Sequence, residues 1–144
     1  MLLLLHGNIV TADDFRANGL MEQLSRSFRV IAIDRPGFGY SDRPRGQLEA
    51  AAALAQRYGE LRMPVLLMAG ENDRVIDPQS HTARLHKDVP HSELTLLPDV
   101  GHMVQHLAQN DIVHAVKDLA GRAGLSAPVA GNGAARSWQE APPV

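Results

Sequence analysis

The sequence predicts an α/β fold: a small parallel sheet of four strands with helices on both faces. Two observations lead there. Four short apolar runs, residues 2–5, 30–33, 65–68 and 94–97, are each continuous and each followed by a Gly or Pro turn. That is the pattern of strands buried on both faces of a parallel sheet. The stretches between the runs carry helical patterns, so the elements alternate βαβαβαβα.

The first run, LLLL, ends at His6-Gly7. It lacks a basic flank and is too short for the apolar core of a signal peptide, so it reads as a buried strand and not a targeting segment. Residues 13–25 place Phe15, Leu20, Met21 and Leu24 as the apolar side of a helix. The second strand opens into Asp34-Arg35-Pro36-Gly37-Phe38-Gly39-Tyr40-Ser41, a loop whose glycines allow tight backbone. Residues 48–58, dominated by alanine and leucine, form the next helix. After the third strand, residues 78–88 open with a first-turn proline. Asn110 caps a last helix whose Ile112, Val113, Val116, Leu119 and Ala120 lie on one side. Residues 1–125 form one domain, and 126–144, rich in Ala, Pro and Gly without periodicity, a mobile tail.

Composition narrows the partners. With 144 residues, 44% hydrophobic and a net charge of −2, the chain is long enough for one core and carries no basic stripe, so no nucleic-acid partner is expected. No run approaches the roughly 20 apolar residues of a membrane helix, so no membrane partner is expected either. The absence of cysteine excludes disulfides, thiolate metal sites and a Cys nucleophile, and fits a cytoplasmic protein.

The chemistry gathers at two positions. Asp73 stands in MAGENDRV just past the third strand, and His102 in LPDVGHMV just past the fourth. Both therefore lie at the carboxyl edge of neighbouring strands, where a carboxylate can hydrogen-bond an imidazole. Asp77, four residues on, is the rival carboxylate, but it reads as a helix cap before Pro78. The seven histidines do not make a metal site: His102 and His106 are four apart, but His81, His86 and His91 recur at five, which does not keep one helical face, and there is no His-Glu-x-x-His. Gly37 and Gly39 form a GxG with no third glycine opening a helix, so no dinucleotide is expected. The expectation is no metal and no cofactor.

Taken in order, LLLLHGN, RVIAIDRPGFGYSDRP, PVLLMAGENDRVIDP and LPDVGHMV resemble the α/β-hydrolase superfamily over residues 2–121. The resemblance implies cleavage of carboxylic esters or related small substrates. It makes His102 the general base, Asp73 the acid that orients it, and Asn8 a main-chain donor to the oxyanion hole. It also exposes a departure. The family carries its nucleophile on a Gly-x-Ser-x-Gly turn between the blocks ending SDRP and beginning MPVLL, and no such motif occurs in this chain. The nearest approach is Gly39-Tyr40-Ser41-Asp42-Arg43, which makes Ser41 the candidate nucleophile.

The family's strand order, shortened to the strands present, implies a small doubly wound sheet of order 2-1-3-4, with the switch point between strands 1 and 3. Strands 2 and 4 then stand three spacings, about 14 Å, apart, so Ser41 reaches His102 only if its loop folds over the crevice. Strand 2 becomes a bare edge that invites pairing with a second copy as a homodimer. Two functions stay open: a weakly active esterase-like hydrolase acting on a small-molecule substrate, and a non-catalytic binding or interaction domain derived by truncation. The segment that gives the family its selectivity, the cap, is absent as well.

Overall fold

The structure, a computed structural model, describes residues 1–7, 10–42 and 57–125. In chain order the elements are β1 (Leu2–Leu5), α1 (Ala12–Ala17), α2 (Leu20–Ser25), β2 (Val30–Ile33), a 3-10 turn (Tyr58–Glu60), β3 (Val65–Gly70), α3 (Thr82–Asp88), β4 (Ser92–Leu97), α4 (Val104–Leu107) and α5 (Gln109–Arg122). All four apolar runs fall inside strands. Asn8, most of the helix expected over 48–58, and the expected tail over 126–144 lie outside the described residues.

β1 pairs with β2 in parallel, from Leu2↔Val30 to Leu5↔Ile33, and β3 with β4, from Val65↔Ser92 to Gly70↔Leu97. These are two of the three neighbour pairs in the order 2-1-3-4. The third does not form among the described residues: β1 and β3 are not hydrogen-bonded, and the strands make two sheets of two rather than one sheet of four. A physical reason lies in the length of β1. In a parallel strand alternate residues bond to either side, so four residues leave little ladder for a second neighbour.

Apolar packing joins the sheets instead. Phe15, Leu20, Leu24, Phe28, Ile112 and Val116 form one buried cluster on α1, α2, the turn after α2, and α5. Leu2, Leu4, Val30 and Ala32 from the first sheet and Leu66 and Met68 from the second pack against it. Alternation along a strand then sends Leu3, Leu5, Ile31 and Ile33 to the opposite face, where they are 36–48% exposed. α3 packs against β3 and β4.

The helix expected over 13–25 is divided. Gly19 adopts φ 82°, a left-handed conformation that ends α1, and the Asn18 Oδ1 accepts the Leu20 N–H at 2.9 Å, starting α2. The helix expected from residue 78 begins at Thr82. Its approach is a turn in which the Asp77 carboxylate accepts the N–H groups of Gln79 (3.3 Å) and Ser80 (3.1 Å), so Asp77 does cap backbone beside Pro78. Asn110 does not cap the last helix: α5 starts at Gln109 with Ala108 before it and no side-chain cap. Among the described residues no helix is long and apolar enough to cross a membrane.

Candidate active site

The segments that carry the acid and the imidazole are held together by backbone. Past the end of the ladder Glu71 N–H donates to Leu97 O, and Asn72 N–H to Val100 O, each at 2.9 Å. These two bonds continue the β3–β4 pairing beyond the strands. Asp99 turns the chain at φ 59°, a left-handed conformation that Asp tolerates better than most residues. Gly70 makes the crossing possible: a Cβ there would stand 2.2 Å from Val100 O and 2.4 Å from Gly101 O.

The result is a short contact between Asp73 Oδ2 and His102 Nδ1, at 2.8 Å. Asp73 Oδ1 accepts two backbone N–H groups, Val75 at 2.8 Å and Ile76 at 2.9 Å. The two side chains are 9% and 16% exposed. Burial pushes the Asp73 pKa up, but the Ile76 N–H, the His102 hydrogen bond and the Val75 N–H outweigh it, and the pKa lies below the ordinary carboxylate value. An ionised carboxylate only accepts, so Nδ1 carries a proton, and in the neutral imidazole the lone pair then lies on Nε2. No described residue hydrogen-bonds His102 Nε2.

Asp34 and Asp77 are likewise lowered, Asp34 first by the Ala12 N–H and then by the Tyr40 N–H, Asp77 first by its Ser80 hydrogen bond. The sign of the consequence is fixed. Each folded carboxyl holds its proton less tightly than the unfolded one, so the stabilisation is complete above the unfolded value near 3.8 and is lost as pH falls through the lower folded values. Urea midpoints measured between pH 5 and 2 are expected to fall through that window. Asp73→Asn should flatten the part of the fall that belongs to the pair, and an unchanged profile in that variant would refute the assignment.

At the end of β1 a second histidine has a different task. His6, its side chain fully buried, donates from Nδ1 to Gly7 O at 2.8 Å and accepts the Arg35 N–H at Nε2 at 3.0 Å. Arg35 donates from Nη2 to Gly7 O at 2.8 Å, and its guanidinium lies 4.7 Å from the Phe38 ring centre. Asp34 Oδ1 accepts the Ala12 N–H at 2.7 Å and Oδ2 the Tyr40 N–H at 3.0 Å. The glycine-bearing loop after β2 is thus fixed to the turn after β1 and to the start of α1, in keeping with the mainly structural role that the resemblance implies for it.

Ser41 belongs to that loop. Its hydroxyl donates to Asp34 O at 2.8 Å and its N–H to Phe38 O at 3.0 Å. The structure brings Asp73 and His102 together and gives Ser41 a hydrogen bond within its own turn rather than to His102. The backbone of Asn8 lies outside the described residues. Among the described residues no group of three His, Cys, Asp or Glu could hold a metal ion. Sequence reasoning passed over Asp14 and Gln105 and weighed His106 only for a metal site; their tie between α1 and α4 was not marked, because these residues meet only across elements.

A layered α/β protein with an acid–imidazole pair at the carboxyl edge of parallel strands is the class these features define. The family described as alpha/beta hydrolase fold matches residues 1–55 and 48–109, and the chain belongs to that family. Among solved structures it is similar to a predicted CIB-like hydrolase from Thermoplasma acidophilum, at 19% identity and a TM-score of 0.62, over 84% of this chain and 86% of that one. That likeness speaks for the fold alone. No curated protein matches the chain.

Proposed function

We propose that the chain is a weak hydrolase of small activated carboxylic esters, in which His102, oriented by Asp73, acts as general base toward water. The observation that carries this reading is the 2.8 Å contact of His102 Nδ1 with Asp73 Oδ2, with the other carboxylate oxygen fixed by two backbone N–H groups. It fixes the tautomer with a lone pair on Nε2 and offers a negative partner to the imidazolium that forms. Nε2 takes a proton from water as the oxygen attacks the carbonyl carbon; as the tetrahedral intermediate collapses, the imidazolium returns that proton to the leaving oxygen, which departs as the alcohol or phenol. Such general-base assistance is worth about 10²- to 10⁴-fold.

A second reading, a non-catalytic binding domain, is favoured by the missing Gly-x-Ser-x-Gly and by the Ser41 hydroxyl being spent within its own turn. Hydrolysis of nitrophenyl acetate separates the two. The expected result is slow turnover, well below the roughly 1 to 10³ s⁻¹ of ordinary enzymes, abolished by His102→Ala, reduced by Asp73→Asn, and indifferent to Ser41→Ala. Turnover equal in the parent and in His102→Ala would leave the binding domain as the reading. A fluorophosphonate adduct that needs both Ser41 and His102 would show instead that the serine acts as nucleophile.

A further inference from the structure

Asp14 lies on α1, outside the pair already described, and both of its carboxylate oxygens are taken by the helix that follows His102. Oδ2 accepts the Gln105 Nε2–H at 2.7 Å, and Oδ1 lies 2.9 Å from His106 Nε2. Around this fork the connection is reinforced. Gln105, 9% exposed, accepts the Asn18 Nδ2–H at its backbone oxygen at 3.0 Å, and Gln109 Nε2 donates to Asn18 O at 2.7 Å.

What the fork holds matters for the imidazole. α4 is a four-residue helix, Val104–Leu107, separated from His102 by Met103 alone. A single turn has no cooperative stability of its own. Asp73 grips the ring from one side, and the backbone ahead of His102 is fixed by the Asn72–Val100 bond. Behind His102, the only carboxylate bonded to α4 side chains among the described residues is Asp14. Buried Gln105 would keep only a weak 3.8 Å contact from its Nε2 to Met103 Sδ if that carboxylate were removed, which favours movement of the whole turn over a local adjustment.

We propose that Asp14 is a positioning residue for His102: by bonding Gln105 and His106 together it docks α4 on α1 and holds the imidazole at Asp73. The inference rests on the reading of His102 as the base, and it adds a residue from the opposite end of the chain to that site. His106, although paired with a carboxylate, is a clamp in this arrangement and not a second base.

The test uses the full chain and two readouts, amide hydrogen exchange and the downfield proton resonance of the His102–Asp73 hydrogen bond. Leu107 and Ala108 donate their N–H groups to Met103 O and Val104 O, so their exchange reports on α4. In Asp14→Ala these two amides are expected to exchange roughly tenfold to hundredfold faster, while Phe28, bonded to Leu24 O in the core, keeps its protection. The downfield proton is expected to be lost, and Asp14→Glu to restore part of it.

If Asp14→Ala does not fold, His106→Ala removes half of the fork, and a smaller change in the same two readouts is expected. A downfield proton unchanged in the variant that folds would overturn the proposal, as would α4 amides whose exchange rises only in step with Phe28. The hydrolytic reading fails separately: if His102→Ala leaves ester hydrolysis untouched while Asp14→Ala still loosens α4 and abolishes the proton, positioning stands and catalysis does not.

Discussion

Gly70→Ala is expected to break the Asp73–His102 contact and to cost about 2 to 4 kcal/mol of stability. The new Cβ would stand 2.2 Å from Val100 O, 2.4 Å from Gly101 O and 2.6 Å from Val100 C. All three atoms are backbone, so no side chain can rotate away. The segment ahead of His102 must therefore lift off the end of β3, and the Asn72 N–H to Val100 O bond, 2.9 Å long, goes with it. Because His102 is two residues past Val100, a displacement of several tenths of an ångström carries the ring off Asp73. The measurements are the urea midpoint and the downfield imidazole proton. Gly121→Ala is the control. Gly121 is the second-last residue of α5, with nothing within 4 Å of its Cβ position, so alanine there should be neutral or stabilise by up to about 1 kcal/mol. A Gly70→Ala variant that keeps both the midpoint and the proton would show that the crossing over Gly70 is looser than its geometry.

The strands were legible because their signal is local: LLLL at 2–5 and VIAI at 30–33 coincide with β1 and β2, and the runs at 65–68 and 94–97 lie within β3 and β4. Asp73 and His102 were legible for a related reason, since each follows the end of a strand and the two strands are consecutive. What the sequence hid depends on partners distant in the chain. The break between α1 and α2 was written in Asn18-Gly19, yet an apolar pattern running through Phe15, Leu20 and Leu24 concealed it, because both short helices bury the same side. The Asp14 fork joins residues 91 and 92 positions apart, and no periodicity reports such a contact. The separation of the β layer into two pairs also lay beyond reading, because strand order sets neighbours while strand length decides how many bonds they exchange.

That separation makes the helical cluster the element that unites the molecule, and Leu24→Ala is expected to show it. Leu24 has no exposed surface and Leu20 is 1% exposed, and both lie in the cluster against which β1, β2 and β3 pack. Truncating a fully buried leucine costs about 2 to 5 kcal/mol through lost apolar transfer and the cavity left behind. A domain of this size has only about 5 to 15 kcal/mol in total. With no hydrogen-bonded ladder between β1 and β3, the loss must reach both sheets through the cluster, so amides of β1–β2 and β3–β4 should lose protection together, by about 30-fold or more. The Asp73–His102 pair hangs on β3 and β4, remote from Leu24 in the chain, and it should weaken in the same proportion as the exchange. If β3–β4 amides kept their parent protection while those of β1–β2 fell, the two sheets would be separate stability units, and the cluster would not be what holds the acid and the imidazole to the rest of the fold.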